Sequence, residues 1–161
     1  MAKEKYPTTQ AIRFLKQHNV DYVPFLYDYE ARGGTTHSAA CLGVNEHLVI
    51  KTIVLQTEAK QGLVVLMHGD KHISTRQLAR DLGHKHITPA APDQANKWSG
   101  YMVGGTSPFG LKTALPVYAE ASIFDLPEFY INGGKRGFLI KTTATALRAL
   151  GAQPVSVAVD V

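Results

Sequence analysis

The chain has 161 residues, 45% of them hydrophobic and 19% charged, proportions that fit one folded domain with a sizeable core and exclude disordered, collagen-like and coiled-coil chains. Seventeen Lys and Arg against thirteen Asp and Glu give a net charge of +4, which suits an anionic partner but is equally common in proteins without one. The longest purely apolar run, Leu63 to Met67, covers five residues, far short of the roughly 20 that a spanning helix requires, so no membrane partner is expected.

In chain order, Ala11, Ile12 and Leu15 recur at helical spacing after Thr8-Thr9-Gln10, predicting an amphipathic helix over 9–18. Tyr22 to Asp28 reads as a strand and Glu30 to Thr36 as a loop; a short helix then begins at Thr36 or His37 and stops at Gly43. Val49 to Thr57 and Leu63 to His68 are β-rich runs joined by a hairpin turn over 58–62. Ser74 and Gln77 have capping-box spacing ahead of a helix over 75–82, and Pro92 starts another that ends near Gly100. Beyond the loop Gly104 to Gly110 come a strand near Leu115–Ala119 and a hairpin joining 128–132 to 137–141 through Gly-Gly-Lys-Arg. A helix over 143–150 and a strand over 154–159 complete the chain. Helices and strands mix without strict alternation, so the expected fold is a single α+β domain over 1–161, built on a mixed, barrel-like sheet flanked by helices. The charged start is followed by no apolar signal segment, and the lone Cys41 can form no internal disulfide, so a cytoplasmic location is expected.

Three features carry chemistry. Lys51 lies inside Val49-Ile50-Lys51-Thr52-Ile53-Val54-Leu55, where alternation gives it an apolar face. It is either a partly buried cation poised for an anion or carbonyl oxygen, or an edge lysine snorkelling to water. Gly104-Gly105-Thr106-Ser107-Pro108-Phe109-Gly110 can bring backbone N–H groups to a carboxylate, ribose or phosphate, or can serve as a plain turn. It is not a P-loop, because Lys112-Thr113 falls one residue late, and Ser107 is not a nucleophile elbow, because Pro108 offers no N–H to an oxyanion. Gly133-Gly134-Lys135-Arg136-Gly137 places two cations at a hairpin tip, fit for a phosphate or for water. His84 and His86 on one strand face, and His68 with His72, lack zinc spacing, so no metal and no cofactor is expected.

Tyr27 after a strand, Ile50-Lys51-Thr52-Ile53-Val54, the run from Gly100-Tyr101 through Gly104-Gly105 to Ser107-Pro108-Phe109-Gly110, and Gly133-Gly134-Lys135-Arg136-Gly137 occur in the order found in the YbaK family. The chain resembles these freestanding aminoacyl-tRNA deacylases, which are relatives of the editing domain inserted in bacterial prolyl-tRNA synthetases. The resemblance implies a barrel-like α/β domain that removes the wrong amino acid from tRNA, commonly cysteine from tRNA(Pro). It implies Lys51 as the residue on which activity depends. Tyr27, Thr52, Gly104, Gly105, Ser107, Pro108, Asn132, Gly133 and Gly134 are then the expected substrate-binding positions. In the family picture the thiol of a cysteinyl substrate attacks its own ester, which accounts for the lack of a visible nucleophile; the protein positions and stabilises.

Three departures bear on the pocket: Gly33-Gly34 in a shortened loop where cysteine-specific members have an aromatic, Asn132 in place of a serine, and Leu139 in place of an aspartate. The expected partners are misacylated tRNA(Pro) and prolyl-tRNA synthetase, with no DNA and weak tRNA selectivity by the chain alone. A deacylase for another small amino acid such as alanine, or a non-catalytic module that binds tRNA or the synthetase, are the alternatives.

Overall fold

The computed structural model describes residues 5–160. Side-chain caps set the helix starts. Thr9, Ser74 and Thr143 each accept a hydrogen bond from a first-turn N–H, opening α1 (Gln10–Gln17), α3 (Thr75–Leu82) and α5 (Ala144–Leu150). Only half of the expected capping box forms at α3, since the Gln77 side chain turns to Asp81 instead of back to Ser74. Pro92 opens α4 (Pro92–Ser99), and Gly43, Gly83, Gly100 and Gly151 close α2 (Gly34–Leu42), α3, α4 and α5 in the left-handed conformation. Helix α2 starts earlier than the residue pattern predicts, at Gly34, so the expected loop is partly its first turn.

The strands are β1 (Val23–Leu26), β2 (Val49–Thr57), β3 (Gly62–His68), β4 (Lys71–Ile73), β5 (Ile87–Pro89), β6 (Val117–Glu120), β7 (Phe129–Lys135), β8 (Phe138–Thr142), β9 (Gln153–Val155) and β10 (Ala158–Asp160). The main sheet is mixed and runs β1-β8-β7-β2-β3-β6-β9, with β5 paired to β2. The α+β expectation therefore holds. On one face of β2, Ile50 and Val54 pack into the large core with α1, α4 and α5. On the other face, Leu55 and Ile53 pack with Leu78 and Ala79 of α3, and Val49 packs with Ala39 of α2 and Leu139.

Two elements differ from the sequence expectation for stated reasons. The single strand over 154–159 is two strands in two sheets: β9 pairs β6, and β10 pairs β4. The break between them is filled by the buried Glu120 carboxylate, which accepts from Val157 N at 2.7 Å and Ala158 N at 3.0 Å. The β7–β8 hairpin turns at Arg136-Gly137; Gly133 and Gly134 belong to β7 as a bulge, because Asn132 pairs with Leu139 while Lys135 pairs with Phe138. Asn132 Oδ1 holds the bulge by accepting from Gly134 N at 2.6 Å and Lys135 N at 3.2 Å. His84 and His86 precede β5 and lie in no strand, so the shared strand face expected for them is absent.

At the end of β3 the His68 ring is 1% exposed. Its Nδ1 lies 2.8 Å from the His47 carbonyl, which can only accept, so Nδ1 carries the proton and the Ser122 hydroxyl donates to Nε2 at 2.7 Å. Burial pushes the His68 pKa below its ordinary value. The unfolded chain, whose histidines titrate near about 6.5, then takes up this proton first, so stability falls as pH drops through that value. Urea unfolding at pH 7.5 and 5.5 is expected to show this loss. His68→Gln is expected to be less stable by about 1–3 kcal/mol at the higher pH, with a smaller further loss on acidification.

Candidate active site

The pairing of β2 leaves a gap. On the edge opposite β3, β7 pairs with Val49 and Ile50 and β5 with Leu55 to Thr57, while Ala90 N donates to the Val54 carbonyl at 3.1 Å. Among the described residues, Lys51, Thr52 and Ile53 therefore have no ladder neighbour on that edge. Backbone groups alternate along a strand, so the Thr52 N–H and carbonyl share the edge used by the Val54 carbonyl and face the gap. Over this gap opens a cavity of about 650 Å³. Its wall takes Val49 to Val54 from β2, Gly34, Thr35 and Ser38 from α2, Pro92 and Ala95 from α4, and Tyr27, Val103, Gly104, Asn132 and Leu139 from neighbouring segments.

Lys51 is half-buried, and its Nζ donates to the Lys71 carbonyl at 2.5 Å. Desolvation holds its pKa below that of an ordinary lysine, against the opposing pull of Glu46 and Asp70. Glu46 also ties the floor together: its Oε2 accepts from Thr35 Oγ1 at 2.7 Å and Thr36 Oγ1 at 2.9 Å, fixing the first turn of α2 beside β2. Thr52 Oγ1 is a buried hydroxyl with no hydrogen-bond partner among the described residues. The Tyr27 phenol is pushed up chiefly by burial.

The rim is built by the glycine loop. Asn132 Nδ2 donates to the Gly104 carbonyl at 3.2 Å, and Arg136 Nε donates to the Val103 carbonyl at 2.9 Å while its guanidinium lies over the Tyr29 ring at 5.3 Å. Arg136 thus fastens the loop to the hairpin. Gly105 sits where a Cβ would come within 2.8 Å of Arg136 N.

The structure brings Tyr27, Lys51, Thr52, Gly104 and Asn132 together in the cavity wall. It places the other named positions behind that wall. Ser107 is fully buried with its Oγ accepting from Phe109 N at 3.3 Å, and Pro108 is buried beside it, because Phe109 is drawn wholly into the core. Gly105 packs on the hairpin backbone, Gly133 faces the Phe138 ring, and Gly134, at φ +101°, lies against Tyr101 and Thr9. Gly34, Asn132 and Leu139, the three positions of departure, all line the cavity. The open Thr52 backbone and the Glu46 anchor went unseen in the sequence. Hydroxyl residues just after two glycines (Thr35 and Thr36) with an acid ahead of the β2 run were the only sign of the anchor.

The chain is 27% identical over 152 residues to EbsC of Enterococcus faecalis, a candidate Cys-tRNA(Pro)/Cys-tRNA(Cys) deacylase, with 93% of each chain covered. It is 32% identical over 92 residues to the proline-tRNA ligase of Brachyspira hyodysenteriae, covering 57% of this chain and 16% of the ligase. In structure it superposes with a TM-score of 0.85 on hypothetical protein APE2540, at 21% identity and with 93% of this chain and 99% of that one covered. A candidate trans-editing enzyme for prolyl tRNA synthetase gives a TM-score of 0.79 at 23% identity, covering 94% and 98%. Identities this low speak for a shared fold. The aminoacyl-tRNA editing domain family matches residues 33–150, most of the chain, and the protein belongs to that family.

Proposed function

We propose that the protein is a trans-editing deacylase that removes a mischarged amino acid from tRNA, with cysteine on tRNA(Pro) as its substrate. The observation that carries this reading is the meeting of a half-buried lysine and an unpaired strand edge in one cavity whose Ser and Thr hydroxyls have no histidine partner among the described residues. Among the described lining residues, no Ser or Thr hydroxyl is hydrogen-bonded to a histidine: Ser38 and Thr106 bond to backbone carbonyls, Thr35 to Glu46 and Gly69, and Thr52 to nothing. The nucleophile is therefore better supplied from within the substrate. The cysteinyl sulfur attacks its own ester carbonyl, forming a C–S bond and breaking the bond to the ribose oxygen, which leaves as a hydroxyl with the thiol proton. A thiolactone and free tRNA result, and water opens the thiolactone to cysteine.

The chain supplies placement and charge. The Lys51 ammonium, in a partly desolvated setting, attracts the anionic 3′ end or the developing oxyanion more strongly than it would in water. The Thr52 N–H on the open edge offers a donor in the same place. Alkylating the thiol of cysteinyl-tRNA(Pro) should abolish turnover. Undiminished loss of the S-alkylated amino acid would overturn the thiol-assisted route.

The unpartnered Thr52 hydroxyl gives a second test. Val is nearly isosteric and removes a buried, unsatisfied group, so Thr52→Val is expected to leave the fold at least as stable, by up to about 1 kcal/mol. Its kcat/KM is expected to fall roughly tenfold, the worth of one hydrogen bond to substrate of about 1.4 kcal/mol. Unfolding and single-turnover deacylation measure the two effects. The apolar Leu139, with Gly34 and Asn132, favours a second reading in which another small amino acid such as alanine is removed, since discrimination by such walls rests on about 1–3 kcal/mol per methylene.

A further inference from the structure

A second groove, of about 710 Å³, lies between α3 and β5. Arg76, Arg80, His84, Lys85 and His86 all line it. Arg76 and Arg80 are one helical turn apart on one face of α3, and both are exposed, as are Lys85 and His86. Among the described residues, Arg76, Arg80 and Lys85 take part in no ion pair. The nearby acids are occupied: Glu58 accepts from Lys85 N and lies 3.4 Å from His84 Nδ1, and Asp81 accepts from Gln77 at 2.7 Å. This differs from the hairpin, where Arg136 is already spent on Val103 and Tyr29.

The groove adjoins the cavity through two segments. Ile87 and Thr88 of β5 line the groove, and Pro89 and Ala90, the next residues, line the cavity, a step of about 3.3 Å per residue. Lys51 shares its face of β2 with Ile53 and Leu55, the residues on which α3 packs, and the Lys71 carbonyl that holds Lys51 belongs to the short strand leading through Ser74 into α3. The unpaired cations thus line a groove next to the candidate active site.

We infer that this groove binds the phosphate backbone of the acceptor stem whose 3′ end enters the cavity. The inference rests on the proposed tRNA substrate and adds where the rest of that molecule lies. Backbone recognition of this kind reads RNA by charge and shape, which fits the weak choice among tRNAs expected of the chain alone.

The test is an Arg76→Gln/Arg80→Gln/Lys85→Gln variant, assayed against an uncharged acceptor-stem hairpin and in deacylation of aminoacyl-tRNA and of an aminoacyl trinucleotide without a stem. The variant is expected to bind the hairpin at least about tenfold more weakly, with the slope of log affinity against log salt shallower by about 2 to 3. It should raise KM for the tRNA and leave the rate on the trinucleotide unchanged. Hairpin affinity and salt slope equal to wild type would overturn the inference, as would equally tight binding of poly-glutamate. If wild type deacylates tRNA and the variant does so equally well, the groove assignment fails and the proposed function stands. If hairpin binding depends on these cations but no aminoacyl-tRNA is cleaved, the proposed function fails and the groove stands.

Discussion

Lys51→Ala is expected to lower deacylation by about 10²–10³-fold, the usual cost of removing one donor aimed at developing charge. The fold should survive, because Lys51 is half-buried and its ammonium makes a single hydrogen bond, to the Lys71 carbonyl. Lys51→Met, which keeps an unbranched aliphatic stem and drops the charge, should lose as much activity and be no less stable, since a desolvated cation is removed. Burial lowers the Lys51 pKa, so in wild type the cation is lost as pH rises through a value below the ordinary 10.5. Activity should decline on that alkaline side. Single-turnover rates across pH and urea unfolding of the three proteins measure these effects; full activity in Lys51→Met would remove the lysine from the mechanism.

Gly105→Ala carries the largest effect expected away from the cavity wall. A Cβ at Gly105 would meet Arg136 N at 2.8 Å, Lys135 C at 3.0 Å and Lys135 Cα at 3.1 Å, all backbone atoms of the β7–β8 hairpin that cannot swing aside. The loop must move off the hairpin, stretching the Asn132–Gly104 and Arg136–Val103 bonds that hold the rim. A displacement near 1 Å at a positioning element costs about 10²-fold in rate, so kcat/KM is expected to fall by about that factor. The substitution should cost about 1–3 kcal/mol of stability as well. Unfolding curves and steady-state kinetics report both, and an unchanged kcat/KM would show that the rim does not position substrate.

Much of this was legible in the chain. Ser74 announces its helix because a cap is a local device, and the apolar runs of β2 and β3 announce strands for the same reason. The oddity of Lys51 within its strand could be seen, as could the glycine loop. The gap at Lys51–Ile53 could not, because it arises from where β5 and β7, distant in sequence, stop pairing. The bulge at Gly133 and Gly134 depends on the Asn132 side chain reaching forward, and the split after β9 depends on Glu120 from another strand. The resemblance implies Ser107 and Pro108 as substrate-binding positions, and the burial of Phe109 beside them turns them inward. Positions that converge by long-range packing are thus the ones that sequence pattern alone misplaces.

The most direct test of the account is single-turnover release of radiolabelled amino acid from cysteinyl-tRNA(Pro) and from alanyl-tRNA(Pro) by the wild-type protein. The account predicts release of cysteine with alanine retained, since only cysteine brings its own nucleophile. Release of alanine with cysteine retained, or release of neither, would contradict it.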